Sequence, residues 1–139
     1  SSFTASITSS LTVTQLENAV KGPQDLPRVR VATVTASTSE EYLKKNRIPY
    51  KTYSTDQEAL QAITANELDA VVYDAPVLRY LANRDMQSLV QVLPQTFERQ
   101  YYAIGLPEGS EFREPINRIL IGRISSPEWK DVLYRYLGE

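Results

Sequence analysis

Apolar positions along this chain switch repeatedly between a spacing of two and a spacing of three to four. Val29-Arg30-Val31-Ala32-Thr33-Val34 is short and β-branched and predicts a strand. Ser37-Thr38-Ser39-Glu40 then offers a capping box, Ser37 with Glu40, ahead of a helix carrying Tyr42 and Leu43. Tyr50-Lys51-Thr52-Tyr53 predicts a second strand. Thr55 or Asp56 caps the next helix, whose Ala59, Leu60, Ile63 and Leu68 form an apolar stripe. Asp69-Ala70-Val71-Val72-Tyr73 is nearly continuous in apolar residues, the mark of a strand covered on both faces. A helix follows from Ala75, with Pro76 tolerated in its first turn and Val77, Leu78 and Leu81 on its inner side. Leu89 to Leu93 and Gln100 to Leu106 are further strands, the second limited by Gly105 and Pro107. Two helices close the chain, near Glu111 to Ile124 and from Pro127 to Leu137.

Strands separated by helices of this length call for parallel βαβ units with right-handed crossovers. The expected class is therefore α/β, a three-layer sandwich around a mainly parallel sheet. Ahead of it, Lys21-Gly22-Pro23-Gln24-Asp25-Leu26-Pro27 breaks the chain and marks a boundary. Nine of the first 14 residues are Ser or Thr. Within that leader Phe3, Ile7 and Leu11 recur every four positions, which lines one stripe of a helix; a frayed polar leader is the other reading.

Composition removes whole classes of chemistry. With 139 residues, one domain is expected, and 15 basic against 17 acidic side chains give a net charge of −2. Neither that balance nor any basic run suggests nucleic acid. There is no Cys and no His, which excludes disulfides, thiolate or imidazole metal sites and every His-dependent triad. No cofactor or metal is called for, and no catalytic constellation stands out. No stretch reaches the roughly 20 apolar residues of a membrane span.

In open parallel sheets, ligands sit outside the carboxyl ends of the strands. Two positions there carry suitable chemistry. Ser37, Thr38 and Ser39 open a helix after the first strand, where free N–H groups, the helix dipole and three hydroxyls suit an anion; taken alone, plain capping is the simpler explanation of them. Asp74 ends the Val71-Val72-Tyr73 strand and can accept from an ammonium group, or cap the helix that follows. Together the two sites suit a zwitterion, of which an amino acid is the commonest.

The stretch from Gly22-Pro23-Gln24-Asp25-Leu26-Pro27 through Ser37-Thr38-Ser39-Glu40-Glu41-Tyr42-Leu43 resembles the second lobe of type 2 periplasmic solute-binding proteins. Glu67-Leu68-Asp69-Ala70-Val71-Val72-Tyr73-Asp74 and Tyr102-Ala103-Ile104-Gly105-Leu106-Pro107-Glu108-Gly109-Ser110 continue the likeness. Ser2-Phe3-Thr4-Ala5-Ser6-Ile7-Thr8-Ser9-Ser10-Leu11-Thr12-Val13 resembles the signature ending the third transmembrane helix of ionotropic glutamate receptors, and bacterial glutamate-receptor-like potassium channels above all. That resemblance implies three parts: residues 1–21 as the end of a gate helix and its linker, 22–99 as the second lobe, and 100–139 as the crossover strand and returning helices of the first lobe. It implies an amino-acid ligand, glutamate or similar, with Ser37, Thr38 and Ser39 on its distal carboxylate and Asp74 on its α-amino group. It implies as partners a first lobe and pore of the same receptor in a homo-oligomer, and a place on the periplasmic side of a cell membrane. The Arg that clamps the α-carboxylate belongs to the first lobe, upstream of Ser1. Ala32 and Ala36 stand where relatives often have Gly. A stand-alone periplasmic binding protein for polar amino acids is the alternative, and a dehydratase of the same fold a weaker one.

Overall fold

The computed structural model describes residues 2–10 and 20–138. Its centre is a six-stranded sheet in the order β3-β2-β4-β1-β5, built from β1 (Ser2–Ser10), β2 (Val31–Val34), β3 (Lys51–Tyr53), β4 (Ala70–Asp74) and β5 (Val90–Val92). The sixth strand, β6 (Phe97–Tyr101), pairs with the same side of β1 as β5 does, further toward the start of β1. The helices are α1 (Thr38–Lys45), α2 (Asp56–Thr64), α3 (Ala75–Asp85), α4 (Arg113–Ile124) and α5 (Glu128–Leu137), with a 3-10 turn over Pro23–Arg28. None of the described helices is long and apolar enough to cross a membrane.

The sheet is mixed, with one reversed strand among otherwise parallel ones. β2 pairs in parallel with β3 and β4, whereas β1 runs antiparallel to β4, β5 and β6, so five strands point one way around one reversed strand. This corrects the helical reading of the leader over Ser2–Ser10. A spacing of four is twice the strand period, so it marks one face of a strand as readily as one stripe of a helix. The gap between β4 and β5 decides between them. Ala5 and Ile7 are fully buried there, and the antiparallel ladder satisfies the backbone of both neighbours. Leu11 and the rest of 11–19, within the expected gate segment 1–21, lie outside the described residues.

Alternation then splits the core into two layers. Ala32, Val71 and Val90 face α2 and α3, packing with Leu60, Ile63, Leu78 and Leu81. Val31, Ala70, Val72 and Ile7 face the other way, against Leu43 of α1 and Leu26 of the 3-10 turn. β6 begins three residues earlier than the sequence pattern predicts and stops at Tyr101, because its bounds follow its pairing with Ser2–Ala5 of β1. Both closing helices fall close to their expected ranges, yet neither contains a buried residue.

Candidate functional site

β2 and β4 are parallel neighbours, with Val31 opposite Ala70 and Ala32 opposite Val71, so their carboxyl ends reach one edge of the sheet. Thr33 ties those ends together: its buried hydroxyl donates to the Val72 carbonyl at 2.8 Å, and its oxygen lies 3.3 Å from Ser37 Oγ. The chain leaves β2 through Ala36, a non-glycine residue at φ 57°, in the left-handed region. Ser37 caps α1, accepting from the Glu40 N–H at 3.1 Å and donating to the Val34 carbonyl at 2.7 Å. Glu40 completes the box one residue early, its Oε2 accepting from the Ala36 N–H at 2.6 Å. Its other oxygen accepts from the Tyr50 hydroxyl at 3.2 Å.

The structure divides the three hydroxyls. Ser37 Oγ is engaged by its own cap. Ser39 is buried on the side of α1 that carries Leu43, and its Oγ has no partner among the described residues. Thr38 alone presents an exposed hydroxyl at the rim. The N–H groups of Thr38 and Ser39 belong to the first turn of α1, where no intrahelical acceptor exists. What faces outward is therefore one hydroxyl and the positive end of a helix, a smaller cradle than three serine-type side chains suggest.

Asp74 occupies the N-cap position of α3 but its side chain makes no capping hydrogen bond. Its carboxylate instead accepts from the Tyr102 hydroxyl in a close contact. Burial, and then that acceptor, push the Tyr102 phenol above its ordinary range, so it keeps its proton and serves as a donor. Two residues earlier on the same segment, Gln100 Nε2 donates to Thr38 Oγ1 at 2.6 Å. Gln100 and Tyr102 thus touch the two halves of the rim at strand spacing. Sequence reasoning missed both. Tyr102 was one of nine tyrosines with nothing to single it out, and Gln100 meets Thr38 only through a contact spanning 62 positions. Glu98-Arg99-Gln100-Tyr101-Tyr102 carries polar groups throughout, so no local alternation singles out either residue. Chemically, the rim offers donors for an anionic group at one end and an anionic acceptor for a cation at the other.

No protein-family model matches the chain. Among characterised proteins it is similar to the ionotropic glutamate receptor NMDA 2D of mouse, rat and human, 29% identical over 115 residues or 76% of this chain. The chain spans 9% of the length of those receptors. Among solved structures it matches the GluR0 ligand-binding core from Nostoc punctiforme in complex with L-glutamate, at a TM-score of 0.77 and 26% identity. That match takes in 99% of this chain and 62% of the other. A putative binding component of an ABC transporter from Wolinella succinogenes, complexed with lysine, shares the fold at a TM-score of 0.77 and 20% identity, 60% of its length being covered. These neighbours are ligand-binding proteins, not enzymes.

The architecture and its edge define a lobe of the type 2 periplasmic-binding fold. Within that class the chain is similar to the ligand-binding domains of ionotropic glutamate receptors.

Proposed function

We propose that the rim binds a free amino acid, and that this lobe closes on it to gate a cation channel. The observation that carries the ligand reading is the pairing, on adjacent parallel strands, of a helix start with a carboxylate that does not cap its own helix. Thr38 and the first N–H groups of α1 receive the distal carboxylate, as a helix N-terminus favours. Asp74 receives the α-ammonium in a charge-assisted hydrogen bond. Ser37 holds the turn in shape, and Ser39 supports it from within. A second lobe supplies the group that holds the α-carboxylate, and closure excludes water from the contacts between.

The channel reading draws support from the Ser2–Val13 signature and from the receptor relatives. In it, residues 1–21 link the lobe to a pore in the cell membrane, with the lobe on the periplasmic side of a homo-oligomer. One observation favours the alternative of a periplasmic solute-binding protein: Ser2–Ser10 lies as a strand inside the sheet, as suits a lobe that stands free of a membrane. Two measurements on the intact protein separate these. Calorimetry with L-glutamate tests the ligand, and a failure to bind any of the common amino acids overturns the proposal. Potassium flux into liposomes carrying the protein tests the channel, with glutamate-evoked flux expected; binding without flux selects the solute-binding reading.

A further inference from the structure

Thr38 carries the rim's one exposed hydroxyl of the cradle, and what that hydroxyl does depends on which way its proton points. A threonine oxygen has one proton to give and two lone pairs to receive. Gln100 Nε2 donates to Thr38 Oγ1 at 2.6 Å and so fills one lone pair. The Val34 carbonyl receives the Ser37 hydroxyl at 2.7 Å. Among the described residues none accepts the Thr38 proton. It is left to turn outward.

From this geometry we infer that Gln100 is a positioning residue: its amide holds the Thr38 hydroxyl as a donor aimed at the ligand's distal carboxylate. Gln100 does not touch the ligand and acts through Thr38. The inference rests on the amino-acid reading above. Its logic is preorganisation, since a hydroxyl fixed as a donor before binding gives up less rotational freedom on binding. Tyr102 anchors the same segment on Asp74, so Gln100 is held at the distance the contact requires.

The test is a double-mutant cycle by calorimetry with L-glutamate on the intact two-lobe protein. Gln100→Met keeps the length of the side chain and removes the donor; it is expected to weaken binding about fivefold, a loss of one oriented hydrogen bond. Thr38→Val is expected to weaken it about tenfold, and adding Gln100→Met to it is expected to change nothing further. Binding unchanged or tightened by Gln100→Met overturns the inference. So does a double variant weaker than Thr38→Val by the same fivefold, because a residue that merely packs the strand acts with or without the hydroxyl. In both of those outcomes the wild type still binds and the proposed function stands. A wild type that binds no L-glutamate removes the carboxylate cradle and the role of Gln100 together.

Discussion

Asp74 is the residue on which the ligand reading turns. Asp74→Asn preserves size but removes the charge facing an ammonium group, and the cost is about 1.5–3 kcal/mol, or roughly ten- to a hundredfold in affinity. Calorimetry on the intact protein checks it; unchanged affinity means that the carboxylate serves only Tyr102. Ala36 provides a second test, of stability. A left-handed conformation costs an alanine about 1–2 kcal/mol, against about 0.5–1 kcal/mol of extra chain entropy that a glycine loses on folding. Ala36→Gly is therefore expected to stabilise the protein by about 0.5–1 kcal/mol, seen as a higher midpoint in urea. Ala32 carries no such strain, because it lies within strand β2. The sequence made the local part of this site readable. Ser37 with Glu40 and Thr55 with Glu58 are contacts three residues apart, and both caps are present. The state of Asp74 was beyond reach, because it depends on a tyrosine 28 positions away.

Among the elements, β1 and the entries to β2 and β4 decide how well the rim is held. β1 places Thr8 opposite Val71, on the face covered by α2 and α3, and Thr8 Oγ1 is buried with no partner among the described residues. Thr8→Val keeps the shape and removes an unsatisfied hydroxyl, so a gain of about 1 kcal/mol is expected in thermal or chemical unfolding. Destabilisation instead means that the hydroxyl has a partner in the intact protein. At the opposite ends of β2 and β4, Asp69 accepts from the backbone N–H of Arg30 at 2.7 Å and from its guanidinium at 3.0 and 2.8 Å. The Arg30 hydrogen bonds, foremost, hold the Asp69 carboxyl below its ordinary value against a smaller cost of burial. A lowered carboxyl contributes stability that is complete above the unfolded pKa, near 4, and is lost as pH falls through the folded value. Asp69→Asn should thus cost about 0.5–1 kcal/mol at pH 7, given the exposure of the pair, and the difference from wild type should shrink at pH 3. A gap of the same size at both pH values assigns Asp69 no titrating role. At this scale the α/β alternation was legible because α1, α2 and α3 each pair an apolar stripe with a start signal. β1 was hidden by its period, which suits two conformations, and β6 slipped because its partner was the strand that had gone unread.

For the whole molecule the question is what 139 residues do by themselves. The chain corresponds to 62% of the GluR0 ligand-binding core, and its described rim holds donors at one end and Asp74 at the other, with no arginine fork between them. A bidentate arginine is among the strongest polar contacts a carboxylate can make. In the proposed reading a second lobe closes over the ligand, and without it the contacts that remain stay wet and weak. The isolated chain is therefore expected to bind L-glutamate at least a hundredfold more weakly than the intact protein, measured by calorimetry or NMR titration. The two closing helices bear on the same point. Ile119 and Ile121 of α4 are 69% and 67% exposed, Phe112 just before it is 69% exposed, and no residue of either helix is buried. α5 is at least seated on α3, where Tyr136 and Tyr80 lie 6.4 Å apart between ring centres; α4 touches little beyond α5. Apolar surface of this extent is rarely left to water in a monomer. Light scattering on the isolated chain should show concentration-dependent association, and Ile119→Lys with Ile121→Lys should suppress it while leaving the sheet intact by circular dichroism, because neither side chain supports the core. A monodisperse monomer that binds glutamate as tightly as the intact protein would overturn both halves of this expectation, since the lobe would then need neither a partner for α4 nor a second wall for its ligand.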